Sequence, residues 1–128
     1  MNKAVRVFLC DDQDDIRSAL SQVIGALPGF VVTGQAATGS ACLEALQHEP
    51  ADLIVLDVSL PWGGPALAAA LRDQHPHLTI VVFSAHSEPH IRQAMLDAGA
   101  DEYVVKTGRL APLRSALVAH SARQAEQD

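Results

Sequence analysis

Residues 5–12 read VRVFLCDD, an apolar run that ends directly in two aspartates. A similar pattern, an apolar run followed by a polar residue, occurs three more times along the chain, in LIVLD (53–57), IVVFS (80–84) and EYVVK (102–106). Short runs rich in Val and Ile are typical of strands buried on both faces of a parallel sheet. Open α/β sheets bind ligands at the edge formed by the carboxyl ends of their strands. The pattern therefore predicts that one sheet edge gathers Asp11, Asp12, Asp57, Ser84 and Lys106.

Between these runs, apolar residues recur at helical spacing, and Gly or Pro follows several of the segments. The alternation predicts an α/β fold, a flavodoxin-like (βα)5 doubly wound parallel five-stranded sheet with strand order 2-1-3-4-5. The predicted elements are β1 (about 4–10), α1 (14–26), β2 (30–36), α2 (39–48), β3 (52–57), α3 (65–74), β4 (78–83), α4 (88–98), β5 (101–105) and α5 (110–124).

The composition favours one folded domain, because 128 residues with a hydrophobic fraction of 48% can bury a core. The formal charge of -6 disfavours direct binding to DNA or to an anionic membrane. No apolar run approaches the roughly 18 residues that span a bilayer, so a cytoplasmic location is expected. The spacing of Cys10 and Cys42 suggests buried reduced thiols rather than a metal site. His120 and other histidines near helix ends are expected at the surface.

Three clustered carboxylates need a compensating charge. At about 5 Å and an effective dielectric of about 20, each pair repels by roughly 3 kcal/mol. If Lys106 joins Asp11, Asp12 and Asp57, the site still carries a net charge of -2. All-oxygen ligands favour Mg²⁺, which a phosphate group often completes. A carboxylate beside such a cation can attack a phosphoryl group, and Lys106 and Ser84 could then bind the phosphoryl oxygens.

In these pieces the sequence resembles a receiver domain of two-component response regulators. The resemblance covers essentially all of residues 1–128, and its pieces occur in the family's order at close to its spacing. Each piece alone is weak, whereas the ordered set is specific. The matching pieces are FLCDD (8–12), LIVLD (53–57) with Leu60-Pro61, FSA (83–85) and YVVK (103–106).

The resemblance implies that Asp57 accepts a phosphoryl group from the phosphohistidine of a histidine kinase. It also implies a site for Mg²⁺, or for Mn²⁺ in its place. Asp12 and Asp57 are the implied direct ligands, and Asp11 acts mostly through water. The backbone carbonyl of Ser59 is a further implied ligand.

By the same resemblance, Ser84 and Lys106 bind the phosphoryl group. Ser84 also forms a switch with Tyr103, whose ring turns inward when Ser84 moves towards the phosphate. Ser59 and His86 lie where the family tunes hydrolysis of its phosphoaspartate. The expected protein is thus a phosphoacceptor with self-catalysed phosphotransfer and dephosphorylation, not a conventional enzyme.

Two departures from the family pattern qualify this interpretation. Thr107 follows Lys106 where the family often has a cis proline, so a trans peptide is expected. This departure and Gly34-Gln35-Ala36 are similar to the NarL/LuxR group, which joins a receiver to a C-terminal helix-turn-helix domain. The loop 61–65 is one residue shorter than usual, which would leave Trp62 exposed beside the site.

We therefore expect residues 1–128 to be a receiver whose transcription-regulating output domain lies outside this chain. DNA would be bound only through that domain, and a homodimer on phosphorylation is compatible with the resemblance. The alternative is a stand-alone receiver that acts as an adaptor or phosphate shuttle. Two other classes fit less well. A haloacid dehalogenase-type enzyme needs an Asp where Ser59 stands, and the acidic loop 10–15 would repel the phosphate of a flavin carrier.

Overall fold

Five strands alternate with five helices in the computed structural model, which describes residues 3–127 and the side chains of residues 3–122. The strands form one parallel sheet in the order β2-β1-β3-β4-β5, which confirms the predicted flavodoxin-like architecture. Predicted β2 and α2 are confirmed to the residue, and the other predicted ends differ by up to three residues. The elements are β1 (Val5–Cys10), α1 (Asp14–Gly25), β2 (Phe30–Ala36), α2 (Gly39–His48), β3 (Leu53–Leu56), α3 (Gly64–Gln74), β4 (Thr79–Ser84), α4 (Pro89–Ala98), β5 (Glu102–Val105) and α5 (Ala111–Gln127).

Helices cover both faces of the central strands β1, β3 and β4, which is why these strands are mostly apolar. Successive side chains of a strand point to opposite faces. Val7 and Leu9 accordingly pack into a core with α1 and α5, whereas Phe8 and Cys10 pack into a second core with α2, α3 and α4. The same division holds along β3. A continuous apolar run is therefore required wherever helices cover both faces of a strand.

The sheet hydrogen bonding continues past the strand ends into the predicted site. The Asp11 amide donates to the Ala36 carbonyl at 3.1 Å, and the Asp57 amide donates to the Cys10 carbonyl at 2.9 Å. The Lys106 amide donates to the Ser84 carbonyl at 2.7 Å. These bonds place three site residues on the rigid sheet rather than on free loops.

The loop after β3 packs its backbone against the beginning of α2. Trp62 has a φ of 54°, and its side chain is 57% exposed, as the short loop predicts. A Cβ added at Gly39 would lie 1.7 Å from the Trp62 carbonyl oxygen. The Gly39 amide also donates to the Pro61 carbonyl at 2.9 Å. The loop can therefore adopt this path only because residue 39 lacks a side chain.

Three smaller predictions had different outcomes. No cis peptide bond occurs in the described chain, so the bond between Lys106 and Thr107 is trans as expected. The prediction that His120 lies at the surface was wrong, because its side chain is buried. His120 continues a stripe of buried α5 residues that starts at Leu113, at the helical spacing i, i+3, i+4, i+7. Both cysteines are free and buried, as predicted.

Within the described residues, we find no helix with the length and apolar character needed to span a bilayer.

Candidate functional site

The carboxylates of Asp11, Asp12 and Asp57 meet at the carboxyl edge of β1 and β3. One oxygen from each residue lies within 4.8 Å of the others, which confirms that the strand ends bring them together. Asp11 and Asp57 are buried, whereas Asp12 is exposed. We call these three residues, together with Lys106, the acidic site. Its carboxylate oxygens match the hard-ligand preference of Mg²⁺.

Lys106 brings one positive charge to the three carboxylates. Its Nζ lies 3.0 Å from Oδ2 of Asp11 and 3.7 Å from Oδ2 of Asp57. The ammonium group also lies 5.6 Å from the centre of the Phe83 ring. With one cation for three anions, the acidic site keeps an excess of negative charge that a divalent cation can neutralise.

The Asp57 carboxyl has a pKa above its usual range. Burial is the largest cause, and the charges of Asp11 and Asp12 add to it. Lys106 and a hydrogen bond from the Ser59 amide act in the opposite direction but do not cancel the rise. The ionised Asp57 carboxylate therefore lacks full compensation within the protein, and an added positive charge would stabilise it.

Asp11 and Asp12 differ in how their carboxylates are held. Oδ2 of Asp11 accepts a hydrogen bond from Lys106, and Oδ1 accepts one from the Gln13 amide at 2.9 Å. Asp12 is exposed and, among residues 3–122, makes no side-chain hydrogen bond or ion pair. Asp12 is therefore the carboxylate that is free to ligate a cation directly. This difference fits the roles that the sequence resemblance implies for the two residues.

Ser84 and Tyr103 are joined through the backbone of His86. The fully buried Ser84 hydroxyl accepts a hydrogen bond from the His86 amide at 3.2 Å. The Tyr103 hydroxyl donates to the His86 carbonyl at 2.7 Å, and its ring is buried. The structure thus has the inward-facing Tyr103. A displacement of the loop at His86 would reach both Ser84 and Tyr103.

A side-chain contact links the loops that follow β3 and β4. Ser59 Oγ lies 2.8 Å from Nε2 of His86. Nδ1 of His86 lies 3.5 Å from Oε2 of Glu88, which begins the turn into α4. Ser59 and His86, for which the family resemblance implies a role in tuning phosphoaspartate hydrolysis, therefore contact each other.

Sequence reasoning missed one residue that contacts the acidic site through its backbone. Arg17 donates a hydrogen bond from Nη1 to the Asp11 carbonyl at 2.6 Å. It also contacts Asp14, three residues before it on α1. That i, i+3 spacing in an acidic first turn was the available signal, but it predicts only a surface ion pair.

The chain matches known proteins over most of its length. The family model described as "Response regulator receiver domain" matches residues 7–118. Response regulator GacA of Pseudomonas viridiflava is 29% identical over 114 residues, covering 88% of this chain and 53% of GacA. Transcriptional regulatory protein PrrA of Mycobacterium tuberculosis is 37% identical over 109 residues, covering 84% of this chain and 46% of PrrA. The chain thus spans about half the length of the curated relatives it matches.

Solved structures of response regulators are also similar to this chain. The signal receiver domain of NarL from Mycobacterium tuberculosis is 27% identical, with a TM-score of 0.86 over 94% of this chain and 98% of that one. A LuxR-family two-component response regulator from an Aurantimonas species is also 27% identical, with a TM-score of 0.88 over 94% of this chain and 86% of that one. Because the family model matches nearly the whole chain, the chain belongs to the response regulator receiver domain family of two-component systems.

Proposed function

We propose that this chain is a phosphorylation-activated switch and that Asp57 is its phosphoacceptor. The observation that carries the proposal is the acidic site itself. Asp57 is buried beside Asp11 and Asp12, and Lys106 lies 3.7 Å from its carboxylate. Burial and the neighbouring carboxylates raise the Asp57 pKa and leave its charge only partly compensated, so a divalent cation would stabilise the ionised carboxylate that attacks a phosphoryl group.

In the proposed reaction, an Asp57 carboxylate oxygen attacks the phosphorus of a phosphohistidine on a histidine kinase. The new O–P bond forms as the P–N bond breaks, and the imidazole nitrogen leaves with its electron pair. The Lys106 ammonium and the Ser84 hydroxyl would donate hydrogen bonds to the phosphoryl oxygens. Attack of water on the phosphorus later breaks the O–P bond, releases inorganic phosphate and returns Asp57 to its carboxylate. The protein thus acts as a switch that catalyses its own phosphotransfer and dephosphorylation rather than as a conventional enzyme.

The donors of the acidic site fit a divalent cation. Asp12 and Asp57 would hold Mg²⁺ or Mn²⁺ directly, together with the Ser59 backbone carbonyl, and Asp11 would act through water. Such a cation supplies charge compensation for the carboxylates and the phosphoryl oxygens. The engagement of both Asp11 oxygens by protein donors supports the indirect role of that residue.

The switch would be transmitted through Ser84, the His86 backbone and Tyr103. Movement of the Ser84 hydroxyl towards a phosphoryl oxygen breaks its bond to the His86 amide, and the His86 carbonyl holds the Tyr103 hydroxyl. Phosphorylation would therefore bias a two-state equilibrium of this loop.

The output is proposed from the relatives. The matched region covers only 53% of GacA and 46% of PrrA, and PrrA is named a transcriptional regulatory protein. We therefore propose that residues 1–128 form the receiver part of a regulator with a C-terminal helix-turn-helix domain outside this chain. That domain would bind DNA, and phosphorylation could favour a homodimer. A stand-alone adaptor or phosphate shuttle is the alternative, and the length of the open reading frame distinguishes the two.

The proposal is tested by intact-mass measurement after incubation with Mg²⁺ and a small acyl phosphate. Wild-type protein is expected to gain about 80 Da, the mass of one phosphoryl group replacing a proton. Asp57→Asn should show no gain, because the amide is a far poorer nucleophile than the carboxylate. Asp73→Asn, a change of the same kind at an exposed position of α3, should match the wild type. Equal modification of Asp57→Asn and wild type would show that Asp57 is not the acceptor.

A further inference from the structure

Arg17 holds the backbone of the loop that carries Asp11 and Asp12. It lies in the first turn of α1, and its side chain is 15% exposed. Its guanidinium reaches back over the loop that joins β1 to α1. This position is unusual for an arginine in a first helical turn, where the helix dipole favours negative charge. Specific contacts must therefore offset the unfavourable interaction between the Arg17 charge and the helix dipole.

Arg17 makes those contacts with three separate segments. Nη1 donates to the Asp11 backbone carbonyl at 2.6 Å, and Nε donates to Oε1 of Gln35 at 3.1 Å. Nη2 forms an ion pair with the Asp14 carboxylate. Gln35 lies on β2 and pairs with Leu9 of β1. The planar guanidinium of Arg17 thus connects α1 and the edge strand β2 to the end of β1.

The contact with the Asp11 carbonyl reaches Asp12 through covalent geometry. A peptide unit is planar, so fixing the carbonyl of Asp11 also fixes the direction of the Asp12 amide and Cα. The Asp11 side chain is already held by Lys106 and the Gln13 amide. The exposed Asp12 side chain has no such contacts within residues 3–122, so its position depends on its backbone.

We propose that Arg17 is a positioning residue for the cation site and sets the direction from which Asp12 approaches the cation. The inference rests on the proposed Mg²⁺ site. The proposal predicts the direction in which cation affinity changes when Arg17 is replaced. Removal of a nearby positive charge alone should tighten the binding of a cation. Loss of a positioning contact should instead weaken it, because Asp12 then has to be ordered when the cation binds.

The test is titration calorimetry of Mg²⁺ into wild type, Arg17→Gln, Arg17→Lys and the control Arg114→Gln. Arg114 is an exposed arginine on α5, so its replacement removes one charge without touching the loop. Arg17→Gln is expected to raise the Kd roughly tenfold, in line with other supporting contacts of metal sites. Arg17→Lys should also raise it, since an ammonium lacks the planar fork. Arg114→Gln should leave the Kd unchanged.

Amide hydrogen exchange in metal-free protein gives a readout that does not depend on cation binding. The amides of residues 12 and 13 should exchange faster in Arg17→Gln than in wild type, with the melting curve confirming a folded protein. Tighter or unchanged Mg²⁺ binding by Arg17→Gln, or unchanged exchange, would overturn the inference while wild type still binds Mg²⁺. If wild type shows no Mg²⁺ binding, the proposed function fails first and takes this inference with it.

Discussion

The aspartates at the two edges of the sheet differ in how their charges are compensated. At the amino edge, Asp52 precedes β3 and is bound by Arg6, whose Nη2 lies 3.1 Å from Oδ1. Oδ2 of Asp52 accepts a further hydrogen bond from the Arg6 amide at 2.8 Å. Partial burial alone would raise the pKa of Asp52, but the hydrogen bonds and charge of Arg6 outweigh it and hold that pKa below its usual value.

Asp101, which precedes β5 at the same edge, also contacts an arginine and a backbone amide. Its Oδ2 lies 2.8 Å from Nη2 of Arg72 and accepts a hydrogen bond from the Ile80 amide at 2.8 Å. Arg72 also donates to the Gly99 carbonyl, so this contact joins α3, β4 and the end of α4. Each aspartate at the amino edge therefore has its own arginine and a backbone donor.

At the carboxyl edge, Asp11 and Asp57 share Lys106, and the pKa of Asp57 is raised, first of all by burial. The comparison teaches that burial and charge alone do not identify a functional carboxylate. At the amino edge, Asp52 and Asp101 each have their own arginine. The carboxyl edge keeps an excess of negative charge that a divalent cation can neutralise.

The largest expected effect comes from comparing Lys106 at the carboxyl edge with Arg6 at the amino edge. Lys106→Gln should slow phosphoryl uptake roughly 100-fold, because it removes the positive charge and the donor that face the phosphoryl oxygens. Arg6→Gln removes one charge at the amino edge and should leave the rate nearly unchanged. The measurement is the initial rate of formation of the mass adduct in Mg²⁺ and an acyl phosphate. Similar rates for the two variants would mean that the edges do not differ in chemistry.

The second prediction concerns the stability of the two edges. Asp101→Ala should lower the free energy of unfolding by about 1–3 kcal/mol, because it removes the charged partner of Arg72 and leaves the Ile80 amide without its acceptor. Asp57→Asn should increase stability at neutral pH, since an amide carries no charge that needs compensation. Urea denaturation in metal-free buffer measures both. A larger loss in Asp57→Asn than in Asp101→Ala would contradict the assignment of roles.

The smallest expected effect is a difference in pH dependence. Asp57 has a folded-state pKa above its reference value of 3.8, so ionisation costs folding free energy at neutral pH. That cost disappears as the pH falls through the raised pKa towards 3.8. The stability advantage of Asp57→Asn over wild type should therefore shrink in this window above pH 3.8.

Asp52 should behave in the opposite sense and in a different window. Its folded-state pKa lies below 3.8, so it contributes stability above that value and loses it as the pH falls through the lowered pKa. The stability deficit of Asp52→Asn should therefore persist down to about pH 3.8 and shrink only below it. Urea denaturation across this pH range measures the stability of both variants. If both stability differences change over the same pH range, Asp52 and Asp57 do not differ in pKa as expected.

Much of the fold follows from local patterns. Strands with both faces covered must be apolar throughout, and turn residues end the helices between them, so element order could be predicted. His120 shows where local reasoning failed. Its position near the polar end of α5 suggested solvent, but the buried stripe of that helix extends far enough to cover it. How much of a helix the sheet covers depends on packing between distant segments.

The sequence alone determined which residues meet at the carboxyl edge, because parallel strands place their ends together. It also indicated that their charges need a cation. Only the tertiary structure decided that Lys106 engages Asp11 more closely than Asp57, and that Ser59 contacts His86. It likewise placed Arg17 on the Asp11 carbonyl. These contacts join residues from different loops, and their distances depend on how the helices pack against the sheet, which no local pattern encodes.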